Sequence, residues 1–381
     1  MTKEPTMVAA AEHESAYESK NPYYHGTGVV YVMTNQDTGN AVTVLERAAN
    51  GGLTEIETFP TGGLGAGNAT NSLDPLLSQG SLTLSDDHRF LFAVDAGSNE
   101  VSVLAIEGNK LIPVDRVPSG GTLPVSVAVH KNLLYVLNRV ESTISGFTVG
   151  ADGKLSAVAG STRSLIRGGG GAPAQIKFTP DGAQLVVAER PNNLIELLAI
   201  DEHGRAGPPV ANQSSGPQPF GFTFAGKDLL IVSELSNAAS SYRVAKDGTL
   251  AVVSGSVPTT EGGACWVVTN STTDPRYAYV SNAVTGSISG YQIDGTGALS
   301  LLDPDGRTGV TVDSHAPIDS AVSGDGRFLY VITGGFSETS EMPDVSAEMS
   351  ITSFRIETDG NLTTIPGPGG FPPGTQGIVA I

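Results

Sequence analysis

Basic residues, cysteine and long apolar runs are all scarce in this sequence of 381 residues. It has 21 Lys and Arg against 39 Asp and Glu, and the resulting net charge of −18 repels phosphate backbones and anionic lipid. A single cysteine, Cys265, excludes an internal disulfide framework. No apolar run approaches the roughly 20 residues that span a bilayer. We therefore expect neither a nucleic acid nor a membrane as partner.

Histidine is also sparse, and the six residues are scattered without the spacing of metal ligands. The glycine run at 168–171 lacks the Lys-Ser/Thr that completes a phosphate-binding loop. We therefore expect no metal and no cofactor. One histidine stands apart: His315 lies shortly before Asp319, at the entry to a predicted strand, and is a candidate acid/base partner.

What the sequence does contain is a repeat, and its cleanest copy covers residues 123–160. Alternating and continuous apolar segments there predict four short strands, the last entered through an Asp-Gly turn. These strands are Val125–Val129, Leu133–Leu137, Thr143–Val149 and Leu155–Val158. One such unit cannot bury both of its faces, so it needs copies of itself on either side.

Six complete copies are present, each pairing a first strand with an apolar second strand. Their first strands begin at Gln79, Pro124, Pro173, Pro219, Gly263 and Pro317. The segment from Gly28 is a second strand with no first strand before it, and the C-terminal Thr375–Ile381 supplies the missing one. The sequence therefore predicts an all-β protein, a seven-bladed β-propeller over residues 28–381 whose ring is closed by the C-terminal strand completing the N-terminal blade. Because a closed ring has no free sheet edge, we expect a monomer.

Three segments lie outside the repeat. Residues 1–27 are polar, and we expect them to be mobile or packed on the outside of the ring. They contain no apolar core long enough for a signal peptide, so a cytoplasmic location is expected. A long connection at Gly62–Gln79 joins the first and second units, and an acidic insertion at 335–348 lies in the loop between the second and third strands of the seventh unit. Long loops in repeat proteins tend to gather on one functional face, although the insertion fits a solvated acidic loop equally well.

First strands line the central channel of a propeller, and aligning the seven first strands identifies one position that faces the channel in every blade. It holds Ser81, Ser126, Gln175, Gly221, Cys265, Asp319 and Gly377. Asp319 is the one charge in this set, and a carboxylate in a partly desolvated channel needs a cationic partner or a raised pKa. Asp319 is therefore a candidate catalytic residue, the alternative being that it binds neighbouring backbone N–H groups. Ser126 and Gln175 are candidate substrate contacts.

The loops after the second strands open on the same face as the channel mouth, and they begin with charged or polar residues that recur from blade to blade. These residues are Arg139, Glu189, Arg190, Glu234 and Asn282. Two arginines in adjacent blades can clamp a carboxylate or phosphate, with the asparagine as a further substrate contact. Either glutamate can then act as general base. The alternative is a network of salt bridges between neighbouring blades.

Three further segments carry a recognisable sequence pattern: Thr179–Gly182, Ser323–Arg327 and Ser233–Asn237. This pattern resembles that of the lactonase-type seven-bladed propellers, the family of bacterial 6-phosphogluconolactonase and fungal carboxymuconate lactonising enzyme. Glu234 matches the family's Asn-Glu-Leu-Ser-Asn pattern. The family's Gly-Pro-Arg-His run reads Gly216–Pro219 here, without the arginine and histidine, so the chain resembles a divergent member.

The resemblance implies a lactonase-like hydrolase, of the carboxylic ester hydrolase class, or a lactonising isomerase. The substrate would be a small anionic lactone or a sugar- or muconate-type acid, handled by metal-independent acid/base chemistry at the channel mouth. In this interpretation Arg139 and Arg190 hold the anion, and Glu234 or Asp319 moves the proton. The alternative is a non-catalytic propeller that binds a ligand or a protein, favoured by the missing Arg-His pair and by the insertion at 335–348.

Overall fold

In the computed structural model, the described part of the chain forms seven antiparallel sheets of four or five strands each, and these sheets are the blades of a ring. The described residues are 27–67, 73–271, 273–334 and 346–381. Blades are numbered in chain order, so that blade 1 contains the N-terminal strands. The expectations for residues 1–26 and for most of the insertion at 335–348 lie outside the described residues.

The first, innermost strand of each blade lies beside the first strands of its two neighbours, and the series closes between blades 7, 1 and 2. From blade 1 to blade 7 these strands are Ile378–Ala380, Leu82–Leu84, Pro124–His130, Pro173–Phe178, Pro219–Ala225, Ala264–Thr269 and Ala316–Val322. They surround the central axis, as the repeat predicted.

The second, third and fourth strands follow outward in each sheet. The second strands are Gly28–Met33, Phe90–Asp95, Leu133–Asn138, Gln184–Glu189, Leu229–Glu234, Tyr277–Asn282 and Phe328–Gly334. The third strands are Ala41–Arg47, Glu100–Glu107, Thr143–Val149, Leu194–Ala199, Ala238–Val244, Ser287–Ile293 and Met349–Ile356.

Fourth strands form the rim, and in three blades the fourth strand is made of two short pieces. In chain order the pieces are Leu53–Pro60, Lys110–Pro118, Leu155–Ala157 with Arg163–Ser164, Val210–Gln213, Leu250–Pro258, Leu299–Leu301 with Gly309–Val310, and Leu362–Ile365 with Gly369–Phe371. A 3-10 turn at Val312–Ser314 precedes blade 7. Within the described residues, no helix is long and apolar enough to cross a membrane.

Burial across a blade explains the hydrophobic patterns of the sequence. Second strands such as Phe90–Asp95 and Leu229–Glu234 are buried at every position because neighbouring blades cover both of their faces. They are therefore continuous apolar runs, which is the pattern of a strand that is covered on both sides. Fourth strands such as Leu53–Pro60 are largely exposed. The core therefore lies between blades, and it positions the loops at the channel mouth.

Ring closure follows the prediction. The C-terminal strand pairs with the second strand of blade 1, with Val30 opposite Ala380 and Val32 opposite Ile378. Reciprocal backbone bonds between Val29 and Ile381, of 3.2 and 2.9 Å, extend this pairing to the last residue. The two ends of the chain are thus joined within one sheet, which leaves no open edge at the seam.

A buried arginine reinforces the seam between blades 1 and 7. Arg47 of blade 1 is 3% exposed, and its Nη1 lies 3.2 Å from the Oδ2 of Asp325 in blade 7. Its guanidinium also lies over the Phe328 ring, 5.3 Å from the centroid. This combination of ion pair and cation–π contact links the last blade of the chain to the blade that receives the C-terminal strand.

Candidate functional site

The connection between blades 1 and 2 does not stay on the surface. Its last part, Leu73–Gln79, which we call the plug segment, enters the channel mouth. The Ser78 hydroxyl donates a 2.7 Å hydrogen bond to the carbonyl of Val125 in blade 3. The Ser78 carbonyl accepts from Trp266 Nε1 of blade 6 at 2.9 Å and from Gln376 Nε2 at 3.0 Å. The plug segment therefore spans the axis and joins blades on opposite sides of it.

Gln79 completes this crossing. Its backbone N–H donates to the Ala174 carbonyl at 3.0 Å, and its side-chain amide makes two hydrogen bonds with the backbone of Val267. A Cβ on Gly221 would collide with the Gln79 Oε1, so the inward position of blade 5 has to be a glycine for the side chain to pass. The plug segment thus crosses the channel at this level and forms the floor of its mouth, which we call the cup.

Asp74 lies at the head of the plug segment, where it is 8% exposed. Its Oδ1 accepts a 2.6 Å hydrogen bond from the backbone N–H of Leu77, and its carboxyl group also hydrogen-bonds the Gln376 side chain. Arg190 and Arg139 both lie within electrostatic range of it. Burial raises the pKa of Asp74 to about 7, because it outweighs the opposing effects of the hydrogen bonds and the two arginines.

The two arginines predicted from the repeat therefore meet around one carboxyl group. Arg139 Nη1 donates a 3.1 Å hydrogen bond to the carbonyl of Leu76, so the arginine is fixed to the plug segment itself. Burial lowers the pKa of Arg139, and the nearby charge of Arg190 lowers it further, while Asp74 opposes both effects. Arginine keeps its charge through such shifts, so the mouth holds two partly desolvated cations side by side.

Aromatic side chains orient the second of these cations. The Arg190 guanidinium lies over the Phe220 ring, 5.5 Å from its centroid. Phe220 in turn meets Trp266 edge to face, with centroids 5.2 Å apart and an interplanar angle of 73°. Since both rings are buried, they form a rigid apolar wall that limits where the guanidinium can point.

A shallow cavity of about 440 Å³ opens beside Arg190. It is lined by Arg190, Pro191, Asn193, Pro217 and Gln218. Two of these residues, Pro217 and Gln218, belong to the run where the sequence departs from the lactonase pattern. The departure therefore lies directly at the candidate site.

Asp319 lies close to the cup but is 2% exposed. Its Oδ1 accepts from the backbone N–H of Ser320 at 2.9 Å, and its Oδ2 accepts from that of Gly377 at 3.2 Å. Burial raises the pKa of Asp319 well above its usual range, and the charge of Asp74 raises it further. The contacts are those of a carboxyl group that fixes the backbone entering the closing strand.

Three other residues of the channel ring are also enclosed. Ser126 Oγ donates to the Gln79 carbonyl at 2.7 Å and accepts from the Ile176 N–H at 3.2 Å. Gln175 Oε1 accepts from the Phe222 N–H at 2.6 Å. Both side chains therefore link the first strands of adjacent blades. Burial raises the pKa of the Cys265 thiol, so this residue has the properties of a small buried hydrophobe.

Glu234 lies at the end of the second strand of blade 5 and is completely buried. Its carboxylate accepts hydrogen bonds from the hydroxyls of Ser240 and Ser256, each at 2.5 Å, and from the N–H of Gly216 at 2.9 Å. All three donors belong to blade 5 or to the loop that leads into it. The carboxylate thus joins the second strand to the outer strands of its own blade.

Asn282 occupies the equivalent position in blade 6 and makes the same kind of contact. Its Nδ2 donates to the hydroxyls of Ser289 and Ser287, at 2.8 and 3.2 Å. In blade 2 the equivalent residue is Asp95, whose Oδ2 accepts a 2.5 Å hydrogen bond from the Ser102 hydroxyl. The position therefore recurs as a polar clamp inside the blades, and these contacts do not lead to the arginine pair.

Glu189 has a second carboxyl group as its neighbour. Glu189 and Glu196 are both completely buried and hydrogen-bond each other. The Ile166 N–H donates to Glu196 Oε1 at 3.0 Å, and Asn192 Nδ2 donates to Glu189 Oε2 at 3.2 Å. Burial, followed by the charge of Glu189, raises the pKa of Glu196 to about 8. This carboxyl pair lies where the loop from blade 3 meets blade 4.

His315 follows the 3-10 turn and is half-buried. Its backbone N–H donates to the Val312 carbonyl at 3.0 Å, and its own carbonyl accepts from the Thr311 hydroxyl at 2.5 Å. These contacts fix the turn into blade 7.

Asp74 is the site residue that sequence reasoning missed, because it lies in the connection rather than in a repeat. A signal was nevertheless present. Residues 73–77 read Leu-Asp-Pro-Leu-Leu inside an otherwise Gly-, Asn- and Ser-rich connection. Leu76 is completely buried, which is what a short apolar run in a long polar loop indicates.

Comparisons with known proteins agree with this architecture. The model of the family described as "Lactonase, 7-bladed beta-propeller" matches residues 23–164 and 127–269, together more than half of the chain. No curated protein matches the sequence significantly.

Solved structures share the fold at low sequence identity. A protein from Lactobacillus plantarum has a TM-score of 0.71 and 18% identity, over 92% of this chain and 98% of that one. The periplasmic gluconolactonase PpgL of Pseudomonas aeruginosa has a TM-score of 0.68 and 17% identity, over 92% and 98%. A candidate 6-phosphogluconolactonase from Bacteroides fragilis has a TM-score of 0.69 and 17% identity, over 92% and 97%. The family match and the seven-bladed ring together show that this chain belongs to the lactonase family of seven-bladed β-propellers.

Proposed function

We propose that this protein hydrolyses a small lactone at the plugged channel mouth. The observation that carries the proposal is the pair Arg139 and Arg190, which adjacent blades bring to one partly desolvated cup. Lactone hydrolysis develops negative charge on the carbonyl oxygen, and its rate depends on groups that stabilise this charge. Two fixed cations in a poorly solvated site supply such stabilisation.

The arginines suit this role because their geometry is preorganised. Arg139 is held by the Leu76 carbonyl and Arg190 by the Phe220 ring, so neither side chain has to be ordered when the substrate binds. A planar guanidinium can also receive a carboxylate or a phosphate through two parallel hydrogen bonds. The same pair can thus hold an anionic group of the substrate or the oxyanion that forms during attack.

The substrate class follows from charge and space. A cavity of about 440 Å³ beside Arg190 accommodates a small molecule rather than a polymer. We propose a sugar-type lactone bearing a carboxylate or a phosphate. This choice is supported by the names of two structural relatives, a gluconolactonase and a candidate 6-phosphogluconolactonase.

The carboxyl groups of the second strands take a structural role in this proposal. Glu234 is engaged by three donors of its own blade, and Glu189 is paired with Glu196. Asn282 binds serine hydroxyls of blade 6. We propose that these residues hold the blades that carry the arginines, without contacting the substrate.

A turnover screen tests the proposal. The purified protein is offered glucono-δ-lactone, a phosphorylated sugar lactone and a muconolactone, and acid release is followed at constant pH. Arg139→Gln and Arg190→Gln are measured beside Arg205→Gln, an exposed arginine that donates to the Ala159 carbonyl on the rim. We expect each cup variant to lose about 100-fold in kcat/KM and the rim control to match the wild type. Unchanged turnover in both cup variants contradicts the assignment.

A non-catalytic binding module is the second candidate. It is favoured by Gln218, which lines the cavity where the family's pattern has arginine, and by Pro219, which stands where that pattern has histidine. A gluconate-induced rise in melting temperature that is lost in Arg190→Gln, without turnover of any lactone, would select this candidate.

A further inference from the structure

We propose that Asp74, which the plug segment carries into the cup, is the general base that activates the attacking water. This inference rests on the lactone hydrolysis proposed above. It gives the connection between blades 1 and 2 a chemical role in addition to its structural one.

The position of Asp74 in the cup supports this role. Its carboxyl group lies within electrostatic range of both arginines, and one of them, Arg139, is bonded to Leu76 only two residues away. A water molecule bound by Asp74 would therefore lie within the field of the two groups that would stabilise the oxyanion. Catalysis by a base requires this proximity between the base and the reacting carbonyl.

The carboxyl group of Asp74 is also rigidly held. The Leu77 N–H and the Gln376 side chain both hold the carboxyl group of Asp74. Gln376 also donates to Ser78, and its Oε1 accepts from the Leu76 N–H at 3.2 Å. The base is thus held by a segment that is itself fixed to blades on opposite sides of the axis, as a preorganised site requires.

The other acidic groups of the cup are less suited to the task. Both oxygens of Asp319 accept backbone hydrogen bonds and the residue is 2% exposed, whereas Asp74 is 8% exposed. Cys265 is a buried thiol whose pKa burial raises. The charged and titratable groups around Asp74 are thus Arg190 of blade 4, Arg139 of blade 3, Cys265 of blade 6 and Asp319 of blade 7.

The proposed step balances without any further reactant. The water oxygen forms a bond to the lactone carbonyl carbon while one water proton moves to the Asp74 carboxylate. The carbonyl oxygen becomes an oxyanion beside Arg139 and Arg190. When the carbonyl re-forms, the ring C–O bond breaks and the ring oxygen takes the proton back from Asp74. The product is the open hydroxy acid, and the carboxylate is regenerated.

The pKa of Asp74 suits both proton transfers of this reaction. With a pKa of about 7, Asp74 accepts a proton from water and returns it to the ring oxygen near neutral pH. The activity should therefore depend on the deprotonated form, and kcat/KM should rise with pH up to a plateau above about pH 7.

The test is a pH profile of kcat/KM for the best lactone, between pH 5.5 and 9. Asp74→Asn and Asp74→Glu are compared with the wild type and with Asp152→Asn, a control in an exposed turn. We expect Asp74→Asn to lose about 100-fold and to lose the ascending limb near pH 7. Asp74→Glu should keep a measurable limb at a shifted pH, which also decides the case if the asparagine variant does not fold.

The outcomes separate this inference from the function on which it rests. If the wild type hydrolyses a lactone and Asp74→Asn stays within threefold with an unchanged limb, the base assignment is wrong and the hydrolase stands. If the wild type hydrolyses no lactone, the hydrolase proposal is wrong and the base assignment falls with it.

A binding experiment checks the charge coupling without turnover. When Asp74 is protonated, the two arginine charges are uncompensated, so the hydroxy-acid product should bind about tenfold more tightly at pH 6 than at pH 8. Gluconate is the probe, titrated by calorimetry. The pH dependence should disappear in Asp74→Asn. Equal affinities at both pH values in the wild type would contradict the coupling between Asp74 and the arginines.

Discussion

Replacing Glu196 with glutamine should remove a proton-linked loss of stability from blade 4. In the folded protein Glu196 and Glu189 are completely buried and hydrogen-bonded to each other, an arrangement that is stable only while the pair holds a proton. Raising the pH removes that proton and leaves two buried negative charges side by side. Glutamine has nearly the same shape, is neutral at every pH, and can still accept the Ile166 N–H through its Oε1.

The magnitude follows from the pKa of Glu196, which burial and the charge of Glu189 raise from 4.5 to about 8. The folded protein therefore keeps a proton that the unfolded chain releases between these pH values. By linkage, the free energy of unfolding falls by about 1.4 kcal/mol for each pH unit in this window. The full stabilisation is present below about pH 4.5, and about 4 kcal/mol is lost between pH 5 and pH 8.

Urea unfolding at pH 5, 6.5 and 8 measures this loss. Glu196→Gln should be close to the wild type at pH 5 and more stable than the wild type by about 2 to 4 kcal/mol at pH 8. Glu202→Gln is the control, because the Glu202 side chain is 88% exposed in the same blade. Its pH profile should follow that of the wild type. Parallel profiles for the wild type and Glu196→Gln would refute the shared proton.

Two further predictions concern the ring and its plug. Arg47→Gln removes the buried partner of Asp325 at the seam, and we expect the free energy of unfolding, measured with urea, to fall by about 3 kcal/mol. A variant as stable as the wild type would contradict a role of Arg47 in ring closure. Gly221→Ala places a Cβ against the Gln79 Oε1 and should lower the melting temperature by several degrees, whereas Gly295→Ala, where a Cβ meets no neighbour within 4 Å and φ is not positive, should lower it less. Equal losses in the two glycine variants would mean that Gln79 does not fill the channel.

The architecture could be predicted from the sequence because it depends on periodicity. A second strand covered by two neighbouring blades needs a continuous apolar run, so Leu133–Asn138 could be recognised and its copies counted. The unpaired second strand at Gly28 predicted the closing strand for the same reason, since a ring leaves no strand edge open. The proximity of Arg139 and Arg190 also followed, because equivalent positions in adjacent blades are neighbours in space.

The floor of the cup could not be predicted in this way. A connection that crosses the axis obeys no period, so Asp74 was not associated with the arginines. For the polar residues that end the second strands, the sequence allowed two explanations. A polar residue recurs at this position both when it faces the channel mouth and when it binds other strands of its own blade. The contacts of Glu234 and Asn282 favour the second explanation. A serine six or seven residues further on accompanies both of them, and this pairing was a readable signal of a clamp inside the blade.

The most direct test of the account is the rate of lactone hydrolysis by the double variant Arg139→Gln/Arg190→Gln, at constant pH and with the lactone that the wild type hydrolyses best. The proposed function requires that the two arginines of the plugged mouth stabilise the reaction's negative charge. It predicts that the double variant remains folded, with a cooperative unfolding transition, and that its kcat/KM falls at least as far as the roughly 100-fold expected for either single variant. A folded double variant that hydrolyses the lactone at the wild-type rate would contradict the claim and place the chemistry elsewhere in the molecule.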